Sequence, residues 1–135
     1  MSKYVRQQIE TLSDVDQNVF MQMMQDDRFE KGFTVDFDDK RLADNYYGVT
    51  VPKDQRDVDC TVRIDGKTQV GLVFKEDGKL EIRGDFWGTN MSLKTLSEQL
   101  GMLYQAYNFA YQLDAMNFMG QIEQTQNYIE LTYTR

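Results

Sequence analysis

The chain has 135 residues, the length of one ordinary domain that buries a core without covalent staples. Its 15 basic and 22 acidic residues give a formal net charge of −7, which disfavours a nucleic-acid partner because such surfaces need clustered Lys and Arg. The chain has no His and one Cys. This excludes imidazole catalysis, a disulfide within the chain and a thiolate zinc cluster within the chain.

We expect one domain over residues 1–135, in the cytoplasm. Charged residues interrupt every apolar stretch of the first thirty residues, so no signal peptide is predicted. No segment approaches the ~20 apolar residues that cross a bilayer, so no membrane association is predicted.

The N-terminal third predicts a strand, a helix and a second strand. Residues 3–11 partly alternate, which favours a strand. Ser13 with Asp16 three residues later resembles a capping box, so a helix is predicted from Ser13 to near Arg28. The alternation over 33–37 predicts a strand.

The next segment is acidic. Residues 38–45 predict a loop, and 46–51 predict a strand closed by Pro52. Carboxylates clustered in this way can hold a cation, but neighbouring Lys40 and Arg41 favour simple charge neutralisation. The cluster comprises Asp36, Asp38, Asp39 and Asp44.

A three-stranded meander is the clearest prediction. Alternation over 57–64, 69–75 and 79–86 is broken at Asp65-Gly66 and Asp77-Gly78, both favoured hairpin turns. We therefore expect one apolar face and one polar, solvated face. The apolar face is predicted to comprise Val58, Cys60, Val62, Ile64, Val70, Leu72, Phe74, Leu80, Ile82 and Phe86.

The C-terminal third predicts a long helix and a hairpin. Ser92 suits a helix N-cap, and a broad apolar stripe with helical spacing runs to about Asn117. Two strands over 119–124 and 128–134 should surround a turn at 126–127. The fold class is therefore α+β, a two-layer sandwich with the helices on one face of a mainly antiparallel sheet.

The polar face of the meander is the predicted binding surface. It mixes charges of both signs and ends at Trp87, which is out of phase with the apolar face and suits an interface anchor. An alternative is that Trp87 only covers the end of the core. The predicted contact residues are Asp59, Arg63, Glu81, Arg83, Asp85 and Trp87.

No residue pattern supports a catalytic, metal or cofactor site. Cys60 lies in phase with buried positions and should be inert, and no phosphate-binding glycine motif is present. Asp59, Glu81 and Asp85 on the polar face leave open a carboxylate- or metal-dependent hydrolase.

Short segments along most of the chain resemble one family. They are 56–59 (RDVD), 62–64 (VRI), 70–74 (VGLVF), 80–82 (LEI), 85–89 (DFWGT), 104–107 (YQAY) and 129–135 (IELTYTR). They resemble the hypothetical chloroplast reading frame thirty-five family of cyanobacteria and algal plastids, a domain of unknown function. The resemblance implies a photosynthetic setting and no catalytic motif. The missing His and the longer 38–53 region depart from the family, as a divergent phage-encoded member would.

These observations predict a small, acidic, non-catalytic binding or adaptor protein with a protein partner. One alternative is an acidic inhibitor that occupies a basic site on a host protein, since the net charge is −7. The other is the hydrolase named above. Homodimerisation is a further expectation, because the long helix carries apolar residues on two stripes, more than one small sheet covers.

Overall fold

The computed structural model describes residues 2–134, which form two α-helices and nine strands. A short 3-10 helix at Lys53–Gln55 lies between the fourth and fifth strands. The elements are, in chain order, β1 (Tyr4–Gln8), α1 (Gln17–Gln25), β2 (Thr34–Asp36), β3 (Asn45–Tyr46), β4 (Val49–Thr50), β5 (Cys60–Ile64), β6 (Lys67–Phe74), β7 (Leu80–Asp85), α2 (Leu93–Ala115), β8 (Met119–Gln124) and β9 (Ile129–Thr134).

The predicted meander is the centre of a five-stranded antiparallel sheet, in the order β1-β7-β6-β5-β2. Asp65 and Gly66 both have positive φ, at 53° and 76°, as a two-residue hairpin turn with matching twist requires. At the second turn only Gly78 has positive φ, and its N–H donates to the Lys75 carbonyl at 3.0 Å. That turn is therefore a three-residue loop that ends in a left-handed glycine.

Helix α2 packs on one face of this sheet and closes the main core, which confirms the predicted α+β arrangement. Ser92 caps the helix by accepting the Thr95 N–H, as predicted. Each fully buried aliphatic side chain contributes roughly 1.5–3 kcal/mol. We call the sheet side of this core the inner face; it comprises Cys60, Val62, Ile64, Val70, Leu72, Leu80 and Ile82, which meet Leu96, Leu100 and Leu103 of α2.

The first helix begins later than predicted. Asp14 has a φ of 54°, and the Val15 N–H donates to the Gly78 carbonyl, so the chain is still turning at these residues. Asp16 is the N-cap, and its side chain accepts the Asn18 and Val19 N–H groups. The prediction that Ser13 caps this helix is therefore wrong, and α1 ends at Gln25.

The strand predicted over 46–51 is a hairpin instead. Strands β3 and β4 pair around Tyr47-Gly48, where both residues have positive φ, at 51° and 82°. A bulky residue such as Tyr47 rarely adopts this conformation. The alternation of residues 46–51 gave no sign of this turn.

The opposite, outer face of the sheet is also covered. Residues 40–58, the covering segment, lie across it and form a second apolar cluster from Leu42, Val51 and Val58. A Cβ placed on Gly71 would lie 2.7 Å from the Val58 side chain, so the covering segment and the sheet are in close contact. Val58 belongs to this outer cluster, and its predicted place on the apolar inner face is wrong.

The C-terminal hairpin β8–β9 forms as predicted and packs beside α2. The Tyr133 ring lies over Gly120, its directly paired neighbour. Within residues 2–134, neither α-helix is both long and apolar enough to cross a membrane.

Gly84 should be the least replaceable glycine of the sheet. It has a φ of 141°, and an added Cβ would lie 2.1 Å from the Gln69 carbonyl oxygen. We expect Gly84→Ala to lower the free energy of unfolding by roughly 3 kcal/mol or more in urea titrations. Gly66→Ala is the matched control, because it also has positive φ but open space around it, and it should lose only about 1 kcal/mol. Equal losses would contradict the proposed clash.

Candidate functional site

The predicted polar binding surface is largely covered by the protein itself. Glu81, Arg83 and Asp85 are 3%, 8% and 2% exposed, because the covering segment lies over this face and β1 pairs with their strand, β7, along its edge. The expectation that these three residues face solvent is wrong. Asp59 is half-buried and Arg63 is exposed, so the structure does not bring the predicted residues together on one open surface.

Ion pairs and hydrogen bonds offset the cost of burying the charged residues of this face. Glu81 accepts from Arg6 Nε at 2.8 Å and from Arg83 Nε at 2.6 Å, and Arg83 also donates to the Asp57 carbonyl. Burial alone would raise the pKa of Glu81, but the two arginine hydrogen bonds outweigh burial and hold its pKa below the ordinary value. The carboxylate is therefore kept ionised as a structural group.

The other carboxylates named for a hydrolase are also engaged. Asp85 accepts the Trp87 N–H at 2.8 Å and the Ser2 hydroxyl, and Asp59 accepts the Phe74 N–H at 2.7 Å. A general acid or base needs a free lone pair or proton directed at a substrate. These carboxylates instead direct oxygens at groups of their own chain.

The acidic segment shows the same pattern. Asp39 accepts the Thr61 hydroxyl, and Asp44 pairs with Arg41 and Arg56. Across residues 2–134, no group of three or more acidic or cysteine side chains is arranged to hold a metal ion. Burial raises the pKa of Cys60 to about 12, so its thiol stays protonated near neutral pH.

Trp87 is exposed, and its neighbour Phe86 packs against the main core instead. The Trp87 ring contacts the exposed ring of Tyr47 in an edge-to-face arrangement, with ring centroids 4.6 Å apart. Gln69 supports both residues, since it accepts from the Tyr47 hydroxyl and donates to the Trp87 carbonyl. This aromatic pair is a small exposed patch at one end of the sheet.

A larger concave feature lies elsewhere, along the side of α2 that points away from the sheet. We call it the groove; it has a volume of about 740 Å³ and separates β1 from β9. Helix α2 forms its floor, the residues that follow β1 form one wall, and the start of β9 forms the other. The floor includes Gly101, Met102, Ala106 and Phe109; the walls include Ile9, Glu10 and Thr11 on one side and Tyr128, Ile129 and Leu131 on the other.

The first wall is held close to the helix at Thr11. Gln105 Nε2 donates to the Thr11 carbonyl at 3.1 Å, and the Thr11 hydroxyl lies 3.0 Å from the position of a Cβ on Gly101. A Cβ at Gly101 would therefore be in tight contact with the Thr11 side chain, which would have to move by a few tenths of an ångström. The glycine inside α2 lets the wall and the floor lie close together.

The second wall is held at both ends of the C-terminal hairpin. At one end, the Tyr133 hydroxyl donates to Asp114 of α2, which also pairs with Arg28 at 3.1 Å. At the other end, the Gln124 amide exchanges two hydrogen bonds with the backbone of Glu30. The hairpin is thus fixed against the helix although its apolar side chains are only partly buried.

The groove is lined by apolar side chains, by neutral polar ones and by two acidic ones; the neutral polar residues are Gln7, Gln8, Thr11, Ser97, Gln105 and Asn127. Phe109 and Tyr128 are 63% and 54% exposed, which is unusual for aromatic side chains in a chain of this size. Glu10 and Glu98 are the charged residues that line it; no Lys or Arg does so among residues 2–134. An apolar centre with a charged edge is the usual anatomy of a protein-binding surface.

Sequence analysis missed this site. Its residues come from three segments far apart in the chain, each ordinary when considered alone. The second apolar stripe predicted on α2, with Tyr104, Tyr111 and Phe118, did not point to it: Tyr104 is buried in the main core, and the floor of the groove lies on a different side of the helix.

Comparison with known proteins leaves the family open. No family model, no curated protein and no solved structure matches the chain. The resemblance to the hypothetical chloroplast reading frame thirty-five family therefore stays a prediction.

Glu81→Gln should destabilise the fold by about 3 kcal/mol near neutral pH, because it leaves Arg83 buried without its anionic partner. The stabilisation by ionised Glu81 is complete above its ordinary pKa of about 4.3 and is lost as pH falls through its lower folded-state pKa. The difference between the native chain and the variant should therefore shrink in acid, as followed by urea unfolding over a pH series. Glu98→Gln, at an exposed site, is the control and should change stability little. A pH-independent difference for Glu81→Gln would contradict this account.

Proposed function

We propose that the protein is a non-catalytic protein-binding module and that the groove is its binding surface. The partner is a protein segment with apolar side chains at its centre and Lys or Arg on its flanks. The observation that carries this proposal is an open groove with apolar side chains whose charged lining residues, within residues 2–134, are acidic.

The length of the groove favours a chain segment over a compact ligand. Its floor runs along α2 from Ser97 to Phe109, which corresponds to ~18 Å of helix axis. Burial of exposed apolar side chains such as Phe109 and Tyr128 supplies the driving force, at roughly 25 cal/mol per Å² removed from water.

The charge of the groove selects among apolar segments. Glu10 and Glu98 lie at its edge, and the whole chain carries a net charge of −7. Lys94 lies 4.0 Å from Glu98 in an exposed pair, so Glu10 is the acidic group of the edge that has no ion pair within residues 2–134. Basic flanking residues gain favourable long-range attraction and acidic ones are repelled. The resemblance noted above supports the same assignment, since it implies no catalytic motif; a photosynthetic setting is part of the proposal on that ground alone.

Two other surfaces remain as competing proposals. Trp87 with Tyr47 forms an exposed aromatic pair of the kind that anchors interfaces. An acidic inhibitor would use net charge over a broad surface and would not need the groove. The variants described next separate the groove from the aromatic pair, and a salt-dependent complex that neither Phe109→Ser nor Trp87→Ala weakens would indicate the inhibitor.

Selection of random peptides displayed on phage against the immobilised protein tests the proposal. We expect the selected sequences to share an apolar centre with Lys or Arg flanks. Synthetic copies should bind Phe109→Ser at least tenfold more weakly than the native chain, about 1.4 kcal/mol, in fluorescence anisotropy titrations.

The controls are exposed apolar residues outside the groove. Met119→Ser removes a side chain that is 77% exposed and should leave binding unchanged. Trp87→Ala should also leave it unchanged. Peptides that bind Phe109→Ser normally and lose affinity for Trp87→Ala would assign the site to the aromatic pair and reject the groove.

Salt should weaken the same complex. Raising the ionic strength from about 0.01 M to about 0.15 M shortens the Debye length from about 30 Å to about 8 Å. We expect the affinity of the selected peptides to fall several-fold over this range. The double variant Glu10→Gln/Glu98→Gln should bind more weakly at low salt and lose most of the salt dependence. A salt-independent native complex would show that the acidic edge plays no part.

A further inference from the structure

The free edge of β9 forms part of the groove wall, and its backbone groups have no partner there. The Thr125 N–H donates to the Tyr128 carbonyl, which fixes the alternation of hydrogen bonds along the hairpin. In an antiparallel pair, every second residue bonds across the pair and the residues between point away. Glu130 and Thr132 therefore bond to β8, while Ile129 and Leu131 direct their N–H and carbonyl groups outward. Within residues 2–134, no group accepts or donates a hydrogen bond at these outward positions.

This edge has few of the features that normally prevent strand pairing. Proteins protect free edges with Pro, charged side chains, bulges or a covering element. Strand β9 has the sequence IELTYT and pairs with β8 in continuous register, without a bulge. Its charged residue, Glu130, is at a position whose backbone groups bond to β8 and not at an outward one. The other edge strand at the groove, β1, carries Arg6, so the two edges are not equivalent.

The hairpin itself is an incomplete sheet. A two-stranded sheet is marginally stable unless other elements support it, and a third strand adds both hydrogen bonds and buried apolar surface. The inward side chains Ile122, Ile129, Leu131 and Tyr133 are only partly buried against α2. A third strand beside β9 would extend this apolar layer over Met102 and Phe109.

The geometry points to strand addition: the partner segment binds in the groove as a third strand that pairs with the free edge of β9. About five extended residues span the ~18 Å, at ~3.3 Å each. Alternate side chains of the segment lie on the floor formed by Met102 and Phe109, and the others face solvent. The class of ligand is therefore a short extended peptide whose apolar residues alternate and whose flanks are basic. This inference rests on the proposed function, since it describes how the same groove binds its partner.

Amide hydrogen exchange of the full chain, with and without a peptide from the phage selection, tests the inference. We expect the exchange of the Ile129 and Leu131 amides to slow at least tenfold when the peptide is bound. The Glu130 and Thr132 amides are the internal reference, because they already bond to β8 and should change much less. A peptide that only shielded the groove from water would slow the exchange of neighbouring amides alike. It would not protect every second amide of β9.

A second arm uses the peptide. Two versions of the peptide are compared, one N-methylated at its odd-numbered residues and one at its even-numbered residues. One version should lose binding and the other should keep it, because only every second amide of the peptide faces β9. A peptide that binds the groove as a helix, with Ile129 and Leu131 unprotected, would overturn strand addition and leave the proposed function standing. If no selected peptide depends on Phe109, the proposed function itself fails.

Self-association would also overturn the inference. If the peptide-free protein sediments as a dimer and already protects the Ile129 and Leu131 amides, the edge belongs to a second copy of the chain. Strand addition requires the opposite of the homodimer expected from the sequence: a peptide-free monomer in which both amides exchange freely.

Discussion

The packing of α2 on the inner face of the sheet determines the rest of the structure. Leu96, Leu100 and Leu103 are fully buried there, so the position and rotation of the helix are fixed. Because one face of the helix is buried against the sheet, the opposite face, with Met102 and Phe109, must point away from the sheet. The same packing that closes the core therefore creates the floor of the groove and sets both of its walls beside the helix.

A second constraint acts on the outer face, where a charged layer lies beneath the covering segment. A polar face normally indicates contact with water, since burial of an unpaired charge is costly. Here Glu81 takes hydrogen bonds from both Arg6 and Arg83, which satisfies the carboxylate inside the protein. The charges that suggested a binding surface thus hold the covering segment and β1 on the sheet.

The sequence predicted the fold well wherever the signal was local. The alternating strands with their Asp-Gly turns, the Ser92 cap of α2 and the C-terminal hairpin each follow from residues close together in the chain, and each is confirmed. The covering segment escaped prediction because its apolar contacts, Leu42, Val51 and Val58, are too widely spaced to form a period. The ion pair between Arg6 and Glu81 could not be predicted from the sequence, because only the pairing of β1 with β7 brings the two residues together.

The site was harder to predict than the fold for a related reason. Its walls and floor come from residues near 10, 100 and 130. The groove exists because these three segments lie side by side without packing fully against one another. The second apolar stripe predicted on α2 contains Tyr104, which the structure buries in the core, whereas Met102 and Phe109 of the groove floor lie on another side of the helix. The proposed binding function uses the part of the α2 surface that the sheet and the C-terminal hairpin leave uncovered.

The most direct measurement is a map of amide chemical-shift changes in the labelled protein on titration with a selected peptide. The account predicts that the largest changes line the groove, over residues 7–11, 101–109 and 127–131, with little change at Tyr47 and Trp87. Changes centred on Tyr47, Trp87 and the covering segment, with the outer side of α2 undisturbed, would contradict it.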